Sequence, residues 1–81
     1  MSHHVELAGS ALAEMKNLPD EALDALVKRA ADLIEEPWDA WAVYPGRKDI
    51  RETTFGDFGI LRFHFDESAE VIMIYDLVWA G

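Results

Sequence analysis

Between Pro19 and Pro37 the chain carries Leu23, Leu26, Val27, Ala30, Leu33 and Ile34 at three- and four-residue spacing. That period paints one apolar stripe along a helix, which must be buried against another element. Lys28, Arg29, Asp32 and Glu35 fall largely on the other side. Pro19 is placed for the first turn, Asp20, Glu21 and Asp24 suit the positive end, and Pro37 ends the helix. Upstream, Ser10 is a candidate N-cap for a shorter helix with Leu12 and Met15 on its apolar face. Leu18-Pro19-Asp20 breaks the two apart, so they form an antiparallel hairpin.

What the hairpin covers is written in the strand signals. Val5-Glu6-Leu7 reads as a short first strand. Ile50 to Phe55 mixes polar and apolar residues as a half-exposed strand does, and Gly56-Asp57 signals a turn. In Ile60 to Phe65, Leu61, Phe63 and Phe65 share one face while Ile60, Arg62 and His64 share the other. Asp66 to Ala69 connects this strand to Val71–Trp79, which is apolar except at Asp76 and reads as a central strand covered on both faces. The expected architecture is α+β: an N-terminal strand, a helical hairpin, then strands in an antiparallel or mixed sheet of three or four strands. Residues 36–48 read as a connection whose rings Trp38, Trp41 and Tyr44 pack over the core; an exposed aromatic binding surface is the alternative.

Eighty-one residues make one domain, residues 1–81. A chain of this size buries only about 60% of its unfolded surface, so a partner's interface would add stability. The chain is 51% apolar, enough for a core, and it has no cysteine to form a disulfide or thiolate zinc site. These features fit the cytoplasm. No segment approaches the ~20 apolar residues that span a bilayer, and the start of the chain has no secretory pattern. His3 and His4 read as native or as a tag remnant. Sixteen acidic against seven basic residues give a net charge of −9, which disfavours RNA or DNA. The excess serves solubility or matches a basic protein partner.

The one basic cluster is Arg47, Lys48 and Arg51, with Arg62 near it across the sheet. Arginine forks bind phosphate and can stabilise a phosphorane-like transition state. Asp49 and Glu52 interleave with this cluster and cancel much of its field, so it reads first as a solvated, salt-bridged edge. His64 lies beside Arg62 and could be a general base; its structural role is a half-buried strand residue. His3 and His4 lack a third ligand at useful spacing, so no metal site and no cofactor are expected. Asp76 interrupts an apolar run and needs either a partner, such as Arg62, or access to water.

In order and spacing the chain resembles the RelE/ParE superfamily of type II toxin–antitoxin systems over most of its length. The resemblance rests on the first strand, on the hairpin with Ala-Leu-Val-Lys-Arg-Ala-Ala-Asp-Leu-Ile-Glu-Glu-Pro, and on the stretch from Glu52. There Gly56-Asp57-Phe58 and Ile60-Leu61 match the family's "Glu-Leu-Arg-x-Gly-Asp-Tyr-Arg-Ile-Leu-Tyr". The resemblance implies a cognate antitoxin and one of two activities: ribosome-dependent mRNA cleavage using lysines, arginines and often a C-terminal tyrosine or histidine, or inhibition of gyrase. Thr54 and Gly59, however, stand where the family's arginines are expected. Arg62 comes three residues after Gly59 and, by alternation, on the opposite face.

Removing one transition-state donor typically costs about 2.7–4 kcal/mol. The expected function is therefore protein binding, to an antitoxin or a cellular target, with weakened or absent RNase activity. Two alternatives stand beside it. One is an mRNA endonuclease whose displaced site comprises Arg47, Lys48, Arg51, Arg62 and His64. The other is a small homodimeric regulatory domain.

Overall fold

A computed structural model describes residues 3–81, so the start of the leader reading, Met1 and Ser2, lies outside the described residues. The elements run β1 (His4–Leu7), α1 (Gly9–Lys16), α2 (Asp20–Glu35), β2 (Trp41–Tyr44), β3 (Arg47–Phe55), β4 (Gly59–Asp66) and β5 (Val71–Trp79). The strands form one sheet in the order β1-β5-β4-β3-β2. β1 runs parallel to β5, and the other neighbours are antiparallel.

The expected α+β plan holds, with a mixed sheet of five strands instead of three or four. The additional strand is β2, inside the stretch read as a loop. It pairs Trp41 with Glu52 and Ala42 with Arg51, then slips before Tyr44 meets Arg47. Four residues broken by a register shift carry too little alternation to announce a strand.

Both helices pack on one sheet face. Ala11, Ala22, Leu26 and Leu33 meet Phe55, Leu61, Phe63, Phe65, Ile72, Ile74 and Leu77 in a single core. The buried line on α2 is rotated from the apolar stripe: Ala22, Ala25 and Leu26 turn inward, while Val27 is 66% exposed. Arg29 joins the inward line. Its guanidinium donates to Thr53 Oγ1 at 2.7 Å and to the Asp39 carbonyl at 2.6 Å, tying α2 to β3 and to the loop before β2. At the helix starts, Pro19 and Ala8 occupy the caps, one position outside the first turn in the case of Pro19. Ser10 is no N-cap, because its hydroxyl donates to the Tyr75 carbonyl at 3.1 Å.

That carbonyl belongs to a bulge. Arg62 faces Asp76 but the next β4 residue, Phe63, faces Ile74, so Tyr75 is the extra residue on β5. Ile72 and Ile74 are buried, and strict alternation would send Asp76 in after them. The added residue instead brings Asp76 out on the open face opposite Arg62, with Leu77 returning to the core. A carboxylate that the strand pattern threatens to bury is thereby kept half-exposed. β5 is accordingly covered on one face only: it lies between β1 and β4, yet Val78 on its open side is 51% exposed.

Candidate functional site

The open sheet face gathers the chemistry. Period-two alternation along β4 puts Arg62 and His64 on it, opposite Leu61, Phe63 and Phe65. Cross-strand register places Glu52 and Asp76 on either side of Arg62, and Ile50 and Met73 on either side of His64. Tyr75, next to Asp76 on β5, and Tyr44, opposite Arg47 at the end of β2, complete the group.

Each guanidinium near this face is already matched. Arg62 Nε donates to Glu52 Oε1 at 2.7 Å. Arg47 grips Asp49 through Nε and Nη2, both at 3.0 Å, and Asp49 Oδ2 also lies 3.0 Å from His64 Nε2. The Arg47 hydrogen bonds hold the Asp49 carboxyl well below the usual carboxylate range, although its partial desolvation works the other way. Arg47 and Arg62 are pushed up by their bonds to Asp49 and Glu52 respectively. Burial pushes the Tyr75 phenol up first, Tyr44 adds to this, and the positive charge of Arg62 opposes it. Tyr75 therefore sits at neutral pH as an uncharged phenol, able to donate a hydrogen bond.

Of the expected site residues, the fold brings Arg47, Arg62 and His64 together, turns Arg51 to the other face, and leaves Lys48 exposed on the same strand. Arg51 shares the helix side of β3 with Thr53 and Phe55. Its guanidinium lies 4.8 Å from the Trp38 ring centre and donates to the Ala40 and Lys48 carbonyls. It is a buttress for the loop, not a partner of Arg62. Lys48 is exposed on the β2–β3 hairpin, outside the ion pairs formed among the described residues. The pairing of Arg62 goes to Glu52, while Asp76 is its register partner without an ion pair among the described residues. Tyr44, Tyr75 and Glu52 were not candidates in the sequence; the one available signal was a Tyr-Asp pair interrupting an apolar strand.

Two further expectations meet the geometry. Trp38 packs edge-on against Phe65, but Trp41 is 61% and Tyr44 49% exposed, so the aromatic segment is largely surface and does not pack down as a whole. His3 is bound into the fold, its Nδ1 3.2 Å from the Ile34 carbonyl, while His4 meets Glu6 at 2.9 Å on the surface. Among the described residues, no three His, Asp or Glu side chains gather as a metal site. No helix of the described residues is long and apolar enough to cross a membrane.

The position of Gly59 explains one missing arginine. It lies on the core face, where a Cβ would come within 2.5 Å of the Phe55 carbonyl and 2.7 Å of its ring. A long side chain there would enter the packed turn and not the open face. Thr54, the other departure, is exposed and pairs with Ile60 on the open side.

No family model matches the sequence, and no curated protein matches it. Solved structures do. The toxin–antitoxin complex RelBE2 from Mycobacterium tuberculosis superimposes with a TM-score of 0.84 at 20% identity, covering 98% of this chain and 99% of that one. A double arginine-to-alanine mutant of the E. coli toxin RelE in the free state gives 0.82 at 17% identity, covering 100% and 86%. The archaeal RelE–RelB complex from Pyrococcus horikoshii gives 0.75 at 19% identity, covering 100% and 98%. The chain has the RelE toxin fold in a divergent sequence, as the resemblance implied.

Proposed function

We propose that this chain is a RelE-like toxin–antitoxin protein that acts mainly by binding protein, a cognate antitoxin or a cellular target, with RNase activity weakened or lost. The observation that carries this reading is the self-neutralised open face. Arg47 is held by Asp49 through two nitrogens, Arg62 is held by Glu52 through Nε, and Asp76 adds a further negative charge opposite Arg62. A surface that must hold a phosphate chain through its transition state needs unopposed positive charge. The solved complexes it resembles hold RelE-type toxins with RelB-type antitoxins, which supports an antitoxin partner here. A cytoplasmic location follows from the same reading.

One observation favours the endonuclease reading. Arg62 uses only its Nε on Glu52, so its terminal nitrogens bond no other side chain among the described residues. With the neutral Tyr75 phenol and His64 nearby, they form a small polar set on one face. Exposed Trp41 and Tyr44 similarly favour a homodimer.

Co-expression with the product of the adjacent gene, followed by affinity purification, tests the main reading. A stoichiometric complex is the expected result, and failure to recover any neighbour-encoded partner overturns it. Primer extension on translated mRNA after induction is expected to show no new 5′ ends. Cleavage abolished by Arg62→Leu would establish the endonuclease instead, and a concentration-dependent dimer in sedimentation would favour self-association.

A further inference from the structure

Between α2 and the β2–β3 edge lies a groove of about 950 Å³. Its α2 wall presents Glu21, Asp24 and Asp32, and its opposite wall presents Asp39, Trp38 and Trp41. Two cations also line it, Arg29 and Lys28. Arg29 is consumed inside the fold by Thr53, Asp39 and Asp32. Glu21 and Asp24 make no ion pair among the described residues, so only Lys28 offsets them.

The aromatic wall has a built-in precedent. Trp38 already receives a guanidinium from within the chain, Arg51, at 4.8 Å from its ring centre. Trp41 is 61% exposed beside it. An indole face next to carboxylates is a site where a guanidinium gains both cation–π and charge-assisted contacts. Trp41 also opens β2, the edge strand, whose outer backbone groups pair with no other strand among the described residues. Beyond Trp41 the end of β3 is itself unpaired on this side among the described residues, and its Thr53, Thr54 and Phe55 line the groove; an extended segment can use such an edge.

We infer that this groove binds an extended, arginine-containing segment of a protein partner. The inference rests on the protein-binding reading above and names the partner's chemistry at a groove that meets the edge of the Arg62 face at Trp41 and Thr54. A net charge of −9 would draw such a segment in and make capture salt-dependent.

The test is a fluorescence titration of the intact chain with a short synthetic peptide alternating arginine with leucine. Saturable binding is expected. Glu21→Gln, Asp24→Asn and Asp32→Asn together should weaken it at least about tenfold, as should Trp41→Leu. Equal charge removal elsewhere, by Glu14→Gln, Glu67→Gln and Glu70→Gln, should change it less than about threefold. Circular dichroism verifies that each variant is folded. Absent binding, or equal weakening by both charge-neutralised triples, overturns the inference. So does sedimentation showing that the groove is filled by a second copy of the chain. If a neighbour-encoded partner binds the groove triple as tightly as wild type, the inference fails while the proposed function stands.

Discussion

The two faces of the sheet are made from alternate residues of the same strands and are held by different forces. On the helix side, Phe55, Leu61, Phe63 and Ile72 are essentially sealed from water. Stability there scales with apolar area and fit. On the open side, Glu52, Arg62, His64 and Asp76 stay half-exposed, and their pairings are screened by solvent. One face therefore decides whether the chain folds. The other can change its charges with little penalty to folding.

The sharpest way to break this contrast is along β4 itself. Phe63→Ala should cost about 3–5 kcal/mol, a large share of a total that is typically about 5–15 kcal/mol. Ile60→Ala, three residues earlier on the open side, should stay under about 1 kcal/mol. Urea unfolding measures both, and equal losses would erase the distinction. Next in size is the turn: Gly59→Ala should cost about 1–3 kcal/mol through its collision with Phe55, whereas exposed Thr54→Ala should fall within about 0.5 kcal/mol of wild type.

Smaller effects probe the open face alone. Because the folded-state pKa of Tyr75 is raised, its contribution to stability is intact below the free-tyrosine value of about 10 and is lost as pH rises through the folded value. Arg62→Leu should move the phenol further up, and Glu52→Gln should move it down. Ultraviolet absorbance titration, referenced to Tyr75→Phe, reads both shifts; opposite signs would refute the arrangement. Asp49 works in the other direction. Its pKa is depressed, so its contribution is present above about 3.9 and disappears as pH falls through the folded value. Asp49→Asn should flatten the acid limb of the stability curve, a small change given the exposure of the pair.

Much of this was legible in the sequence because it depends on period. The helical hairpin, the Gly56-Asp57 turn and the shared face of Arg62 and His64 all follow from spacing. Alternation alone also groups Arg51 with Thr53 and Phe55, so its separation from Arg62 could have been read; the clustering of basic residues in sequence obscured it. Other features are invisible to period. The bulge at Tyr75 is an offset between two strands, and the inward turn of Arg29 depends on Thr53 and Asp39 being waiting partners. The neutralisation of the site was half-legible: Asp49 and Glu52 were expected to cancel charge, and Asp49 does hold its strand neighbour Arg47, but the pairing of Glu52 with Arg62 was fixed only by cross-strand register.

The parallel pairing of β1 with β5 joins residues from opposite ends of the chain, His4 with Val71 through Leu7 with Ile74. The β3–β4 and β4–β5 hairpins close over short turns and can form early, whereas β1 must await closure of nearly the whole chain. Like β2, it is an edge strand of only four residues. Native-state hydrogen exchange should find β1 amides opening well below the global unfolding free energy, with those of β4 opening only at it. β1 would then be synthesised well before β5 yet join the sheet last, and until it does β5 keeps an unpaired edge exposed.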